Sequence, residues 1–198
     1  MQALVVVDAQ NEFGPSGRRE VPDHAAALAT ILERIREARA EDRPIAFFRH
    51  HNVGEQVDAF IPGSWGAQFS GGVGPLAERS QEAEFVKEVI GAFTGTGLEE
   101  WLRNQGCDGV LLVGFYAQQC LSTSAREAYI RGFQVSVDPN GTASRPIQHP
   151  LLGEQSAAEV KRSALLHLAA LGVTMTQLGD SVTDPDPGEA IDVLTGTR

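Results

Sequence analysis

Cysteine is scarce in this chain. Cys107 and Cys120 are the only two, too few for a disulfide framework, and they point to a reducing, cytoplasmic compartment. Basic clusters are missing. Sixteen Lys and Arg stand against 26 Asp and Glu, a net charge of −10. We therefore expect no nucleic-acid and no membrane partner, because nothing is positioned to neutralise phosphates. No apolar run approaches the roughly 18 residues of a membrane-spanning helix. The opening MQALVVVDAQNEF has no basic region and reaches Asp8 after a very short apolar run, so we expect no signal peptide. Metal-ligand spacing is also absent. His50 and His51 are neighbours, and neighbours in an extended segment point to opposite faces. No HxH or HExxH pattern occurs, and His24, His149 and His167 add none. We expect no metal and no cofactor. No internal repeat is present.

What remains is an ordinary globular composition, with 42% hydrophobic and 21% charged residues. At 198 residues the chain is read as one domain spanning 1–198, with a polar tail over 179–198. Apolar runs at Ala3 to Val7, Ile45 to Phe48 and Gly109 to Val113 suit strands covered on both faces. Glu84 to Val89, Phe133 to Val137 and Val173 to Leu178 complete about six strands. Helical periodicity runs from an N-capping Asp23 to about Ala40, with Ala27, Leu28, Ile31, Leu32 and Ile35 facing the core. Further helices are expected from Leu98 to Asn104, with Thr96 as cap, and from Ala157 to Ala170. Asp138-Pro139-Asn140-Gly141 reads as a turn. Residues 53–81 form a long Gly- and Pro-rich connection, and such loops are usually functional or mobile. Alternating strands and helices predict an α/β, three-layer, doubly wound and mostly parallel sheet.

The most informative stretch is VLLVGFYAQQCLSTSAREAYIRGF, from Val110 to Phe133. A buried strand breaks at Gly114, and Cys120 then opens a helix with Ala125, Ala128 and Tyr129 on one side. A helix N-terminus carries partial positive charge, which favours a thiolate and can hold an oxyanion. Cys107 is taken as structural. Asp8 ends the first strand, and Lys87 lies in the third. Carboxyl ends of parallel strands converge on one crevice. Asp8 could accept the Cys120 proton, and Lys87 would supply a fixed positive charge.

Three segments resemble one family. Val5-Val6-Val7-Asp8-Ala9-Gln10-Asn11-Glu12-Phe13 resembles a D-x-Q-N-x-F opening. Lys87, with Ala92, Phe93, Thr96 and Leu98 behind it, resembles K-x(4)-A-F-x-x-T-x-L. Val113 to Leu121, with Ala125, Ala128 and Gly132-Phe133, resembles a nucleophile motif. Together they are similar to the isochorismatase-like cysteine hydrolases, which include nicotinamidase and N-carbamoylsarcosine amidohydrolase, over roughly residues 2 to 178. The resemblance implies an Asp8–Lys87–Cys120 triad and a cis peptide at Phe115–Tyr116 with an oxyanion hole near Ala117. It also implies C–N cleavage of a small amide or ureido substrate through a thioester, in a homodimer or homotetramer. The alternatives are a vinyl-ether hydrolase of the isochorismatase type, or a catalytically silent binding module. Phe13, Arg49, His50 and Trp65 are candidate pocket residues. The chain departs from the pattern in three places. Ala117-Gln118-Gln119 replaces the usual Thr-Asp/Glu before the Cys. Asn140-Gly141 replaces Asp-Ala. The Arg49-His50-His51 region replaces the nicotinamidase metal ligands, which argues against a metal-dependent nicotinamidase.

Overall fold

A computed structural model describes residues 1–54 and 57–177. Six strands form one sheet: β1 (Gln2–Val7), β2 (Ile45–His50), β3 (Glu82–Lys87), β4 (Gly109–Phe115), β5 (Gln134–Ala143) and, after a separate hairpin, β8 (Thr174–Met175). The hairpin is β6 (Ile147–His149) with β7 (Gly153–Gln155), antiparallel and detached from the sheet. Sheet order is β3-β2-β1-β4-β5-β8, and every pairing within it is parallel. The order reverses between β1 and β4. Open α/β sheets bind ligands outside the carboxyl ends of their strands at such a switch point.

The two faces carry separate cores. Leu4, Val6, Ile45, Phe47, Leu111 and Val113 pack under α1 (His24–Ala40) through Ala27, Ile31, Ile35 and Ala38. On the other face Val5, Val7, Phe48, Val110 and Leu112 pack against Leu98 and Leu102 of α2 (Leu98–Asn104), Ala125 and Ala128 of α3 (Ser122–Ile130), and Leu165 and Leu168 of α4 (Ala157–Ala170). Alternating strand residues thus serve opposite layers. Two buried clusters, one per face, give the three-layer arrangement expected.

Several details differ from the sequence expectation. β3 begins at Glu82 and stops at Lys87, because register with β2 runs from Ile45↔Glu82 to His50↔Lys87. Residues 138–141 lie inside β5 rather than in a turn. Two residues of β4, Leu112 and Gly114, face Val137 and Thr142 of β5, so the extra residues bulge out. Asp138 Oδ1 accepts the Asn140 N–H at 2.8 Å within that bulge, and Pro139 is tolerated because a bulge spares its missing donor. Leu28 and Leu32 of α1 are only partly buried, whereas Arg34 is buried and paired with Asp138 at 2.8 Å. Tyr129 is exposed. Asp23 precedes α1 without a side-chain capping bond. The N-cap of α2 is Gly97 rather than Thr96, although the Thr96 hydroxyl accepts from the Leu98 N–H at 3.3 Å. Gly114 does not break β4. Its φ is +123°, and a Cβ there would sit 1.8 Å from the Val7 carbonyl oxygen, so glycine allows β4 to run close against β1. The end of the last expected strand and the 179–198 tail lie outside the described residues.

Candidate active site

Asp8 follows the last residue of β1 and is fully buried, with φ at +51°. Asp is among the few residues that tolerate this left-handed conformation. Lys87 ends β3 and is 2% exposed. β3 lies two strands from β1, about 10 Å at ordinary strand spacing. Only a long side chain spans that gap. Lys87 Nζ reaches over β2 to lie 2.7 Å from Asp8 Oδ2. Cys120 sits in a π-helical turn, Ala117–Leu121, between β4 and α3. It is 7% exposed, and both Asp8 and Lys87 act on its thiol. The structure therefore brings Asp8, Lys87 and Cys120 together. The Phe115–Tyr116 peptide bond, just before the turn, is cis.

The electrostatics correct one expectation. Cys120 does not sit at the start of α3, and its resting thiolate is not favoured. Burial, reinforced by the Asp8 carboxylate and only partly opposed by Lys87, pushes the thiol up to about 12. Lys87 behaves differently. Burial works against its charge, yet Asp8 and Cys120 outweigh burial and hold it above the ordinary lysine value. The resting site thus contains a neutral thiol beside a lysine ammonium. The buried Asp8 carboxylate meets the Lys87 ammonium at 2.7 Å and the Cys120 thiol.

Each motif has a structural task. Gln10, fully buried, accepts the His50 N–H at 2.8 Å through Oε1, and its amide donates to the carbonyls of His50 at 3.0 Å and Ala67 at 2.9 Å. It staples the end of β1 to the end of β2 and to the long loop. Asn11 donates to the Trp65 carbonyl at 3.0 Å. Glu12 accepts from the Arg18 N–H at 2.7 Å, and a Cβ at Gly66 would lie 1.8 Å from its Oε2. On α3, Ser124 donates to the Cys120 carbonyl at 2.6 Å and accepts the Ala92 N–H at 3.0 Å. Glu127 accepts the Phe93 N–H at 2.9 Å and the Thr94 hydroxyl. The loop behind Lys87 is thereby tied to the helix behind Cys120. Ser124 and Glu127 escaped the sequence reading because their partners, the Ala92 and Phe93 backbones, lie 32 and 34 residues away.

The candidate pocket residues divide. Phe13 is buried among Phe60, Phe115 and Tyr116, with ring centroids 4.7–5.2 Å from its own. His50 faces Lys87, its Nδ1 lying 3.3 Å from Nζ. Arg49 is paired with Glu84 and lies over the Phe69 ring at 5.4 Å, so its charge is already matched. Trp65 is 53% exposed and makes no ring contact with the cluster. One further cation was missed. Arg145, just beyond β5, is exposed and lies 5.8 Å from the Tyr116 ring centroid, with no acidic partner among the described residues. No group of three or more His, Cys, Asp or Glu suited to hold a metal occurs among the described residues. None of their helices is long and apolar enough to cross a membrane.

A parallel α/β sheet with a cysteine, an aspartate and a lysine meeting at its switch point defines a class of small α/β hydrolase. Comparison with known proteins makes this specific: a family model for the isochorismatase domain matches residues 2–187, and the chain belongs to that family of hydrolases. It is 28% identical to a secreted isochorismatase effector of Verticillium dahliae, covering 89% of this chain and 88% of that protein. It is 29% identical to the nicotinamidase/pyrazinamidase of Mycobacterium tuberculosis, covering 81% and 97%. A crystal structure of an isochorismatase from Pseudomonas putida superposes with a TM-score of 0.81 at 27% identity, covering 89% of this chain and 87% of that one.

Proposed function

We propose that the protein is a cysteine hydrolase that cleaves a C–N bond of a small amide or ureido substrate through a thioester on Cys120. The observation that carries this reading is the state of Asp8. One oxygen is held by Lys87 at 2.7 Å, and the carboxylate also takes a hydrogen bond from the Cys120 thiol. A carboxylate already bonded to the thiol is placed to receive its proton during a reaction. Its neighbour Cys120 holds a proton to give.

The chemistry follows from the groups present. As the sulfur attacks the carbonyl carbon, the thiol proton passes to Asp8, so no free thiolate is needed beforehand. Lys87, 2.7 Å away, supplies the carboxylate's counter-charge. The negative charge on the carbonyl oxygen falls to N–H groups at the start of the Ala117–Leu121 turn, since the first N–H groups of a helix lack intrahelical acceptors. Asp8 returns the proton to the departing nitrogen. Water then attacks the thioester by the same route in reverse and frees the acid. Arg145, exposed beside the Tyr116 ring, supports a substrate that carries an anionic group.

The test is an ammonia-release assay across small amides and ureides, with and without a carboxylate, for the wild-type protein and Cys120→Ala. Loss of turnover in the variant supports the reading. Unchanged turnover overturns it. An ether-cleaving activity that survives Cys120→Ala but not Asp8→Asn would point instead to vinyl-ether hydrolysis.

A further inference from the structure

Between Lys87 and the long loop lies a chain of hydrogen bonds whose direction can be worked out from one end. Asn52 stands two residues beyond β2. Its amide nitrogen donates to the Ala59 carbonyl at 3.1 Å, and its backbone N–H donates to the Phe60 carbonyl at 3.1 Å. A carbonyl can only accept, so the NH₂ end of Asn52 faces Ala59 and Oδ1 faces the other way. That oxygen lies 2.8 Å from His50 Nε2. It too can only accept, so the imidazole hydrogen is on Nε2 and Nδ1 is bare. Nδ1 then lies 3.3 Å from Lys87 Nζ. An ammonium has three hydrogens to give. Lys87 has three nitrogen and oxygen acceptors in reach, Asp8 Oδ2 at 2.7 Å, His50 Nδ1 at 3.3 Å and the Val89 carbonyl at 3.2 Å, besides the Cys120 sulfur.

We propose that His50 is a positioning residue: the Ala59 carbonyl, acting through Asn52, fixes it as the Nε2–H tautomer, and its bare Nδ1 holds the Lys87 ammonium on Asp8. The relay stands on hydrogen-bond geometry alone, whereas its effect on turnover rests on the reaction proposed above. The charged groups facing His50 are Lys87 from β3 and Asp8 from β1, with His51 its neighbour in sequence. Asn52, the Val89 carbonyl and the Phe60 ring, whose centroid is 5.4 Å away, are uncharged. Burial first, and Lys87 second, hold the imidazole below its ordinary value. Protonating Nδ1 would set two cations against each other and release Lys87. Activity is therefore lost on the acid side as His50 titrates, below pH 6.5.

The experiment is long-range proton–nitrogen NMR on protein labelled with ¹⁵N-histidine, with His50 assigned from its disappearance in His50→Gln. At pH 7.5 the expected signal is a neutral ring protonated at Nε2. A ring protonated at Nδ1, or an imidazolium, overturns the relay. Asn52→Asp provides a second handle. A carboxylate at that place should raise the His50 midpoint by about one unit or more and move the acid limb of kcat/KM up with it. An unmoved midpoint overturns the coupling. For the positioning role, His50→Leu should lower kcat about 10²-fold with little change in KM. His50→Gln, which keeps an acceptor for Lys87, should recover part of the loss. Equal activity in wild type and His50→Leu overturns that role even if the tautomer is as expected. Turnover that persists in Cys120→Ala sinks the thioester reading while leaving the NMR result standing.

Discussion

Replacing Cys120 by serine should make the protein more resistant to alkali, by an amount the structure sets. In the unfolded chain the thiol titrates near its ordinary value of 9.0, whereas in the folded protein burial and Asp8 push it up to about 12. A folded value above the unfolded one contributes stability that is complete below pH 9 and is lost as pH rises toward 12. Between pH 8 and pH 10 the unfolded thiol ionises and the folded one does not. One pH unit above the unfolded midpoint is worth about 1.4 kcal/mol. Serine does not ionise there, so the term vanishes in Cys120→Ser. Cys107, also pushed up by burial, is present in both proteins and cancels. Lys87 is held above its ordinary value of 10.5, so working at pH 10 and below keeps its deprotonation small. Urea unfolding at pH 8 and pH 10 gives the four free energies. The wild-type protein should lose about 1.4 kcal/mol more than the variant across that interval. Equal losses would refute the neutral resting thiol, and with it the need for Asp8 to take the proton during attack.

Three other outcomes follow from the geometry. Asp8→Asn removes the proposed base and leaves the Lys87 ammonium, 2% exposed, without its counter-charge. It should lower kcat/KM by about 10²–10⁴-fold and destabilise the fold by about 3–5 kcal/mol, read by steady-state kinetics and urea unfolding. Gly114→Ala forces a Cβ to within 1.8 Å of the Val7 carbonyl; the cost should be at the upper end for one substitution, about 4 kcal/mol or more, and a shift in Tm of only a degree or two would contradict the close approach. Arg34→Met strands the fully buried Asp138 carboxylate and should cost about 3–5 kcal/mol, whereas the double variant with Asp138→Leu should recover most of it, as a thermodynamic cycle would measure.

How much of this was legible beforehand varies from residue to residue. The apolar runs at Ala3, Ile45 and Gly109 announced strands buried on both faces, and parallel strands constrain where their ends lie. Asp8, Lys87 and Cys120 could therefore be grouped from their positions at strand ends before any distance was known. Gln10 is visible in the sequence only as a motif letter, because its partners, the His50 backbone and Ala67, lie 40 and 57 residues away, where periodicity carries no information. His50 was expected to face a substrate. It turns to Lys87 because β2 and β3 pair in the register that sets the two side by side, and register is decided by whole strands rather than by one residue. The residues 138–141 have the composition of a turn, yet tertiary pairing with β4 keeps them in a strand by way of a bulge. Cys120 was rightly placed after a strand. The expected thiolate failed because sequence shows which charges accompany a sulfur but not how thoroughly water is excluded from it.

The central claim is that the sulfur of Cys120 becomes covalently joined to the substrate. Turnover of a small amide or ureide substrate, quenched in acid within milliseconds and followed by mass spectrometry of the peptide that carries Cys120, measures this directly. The account predicts a transient mass increase on that peptide equal to the substrate's acyl group, absent in Cys120→Ala. An unmodified peptide during active turnover, at every quench time, would contradict it.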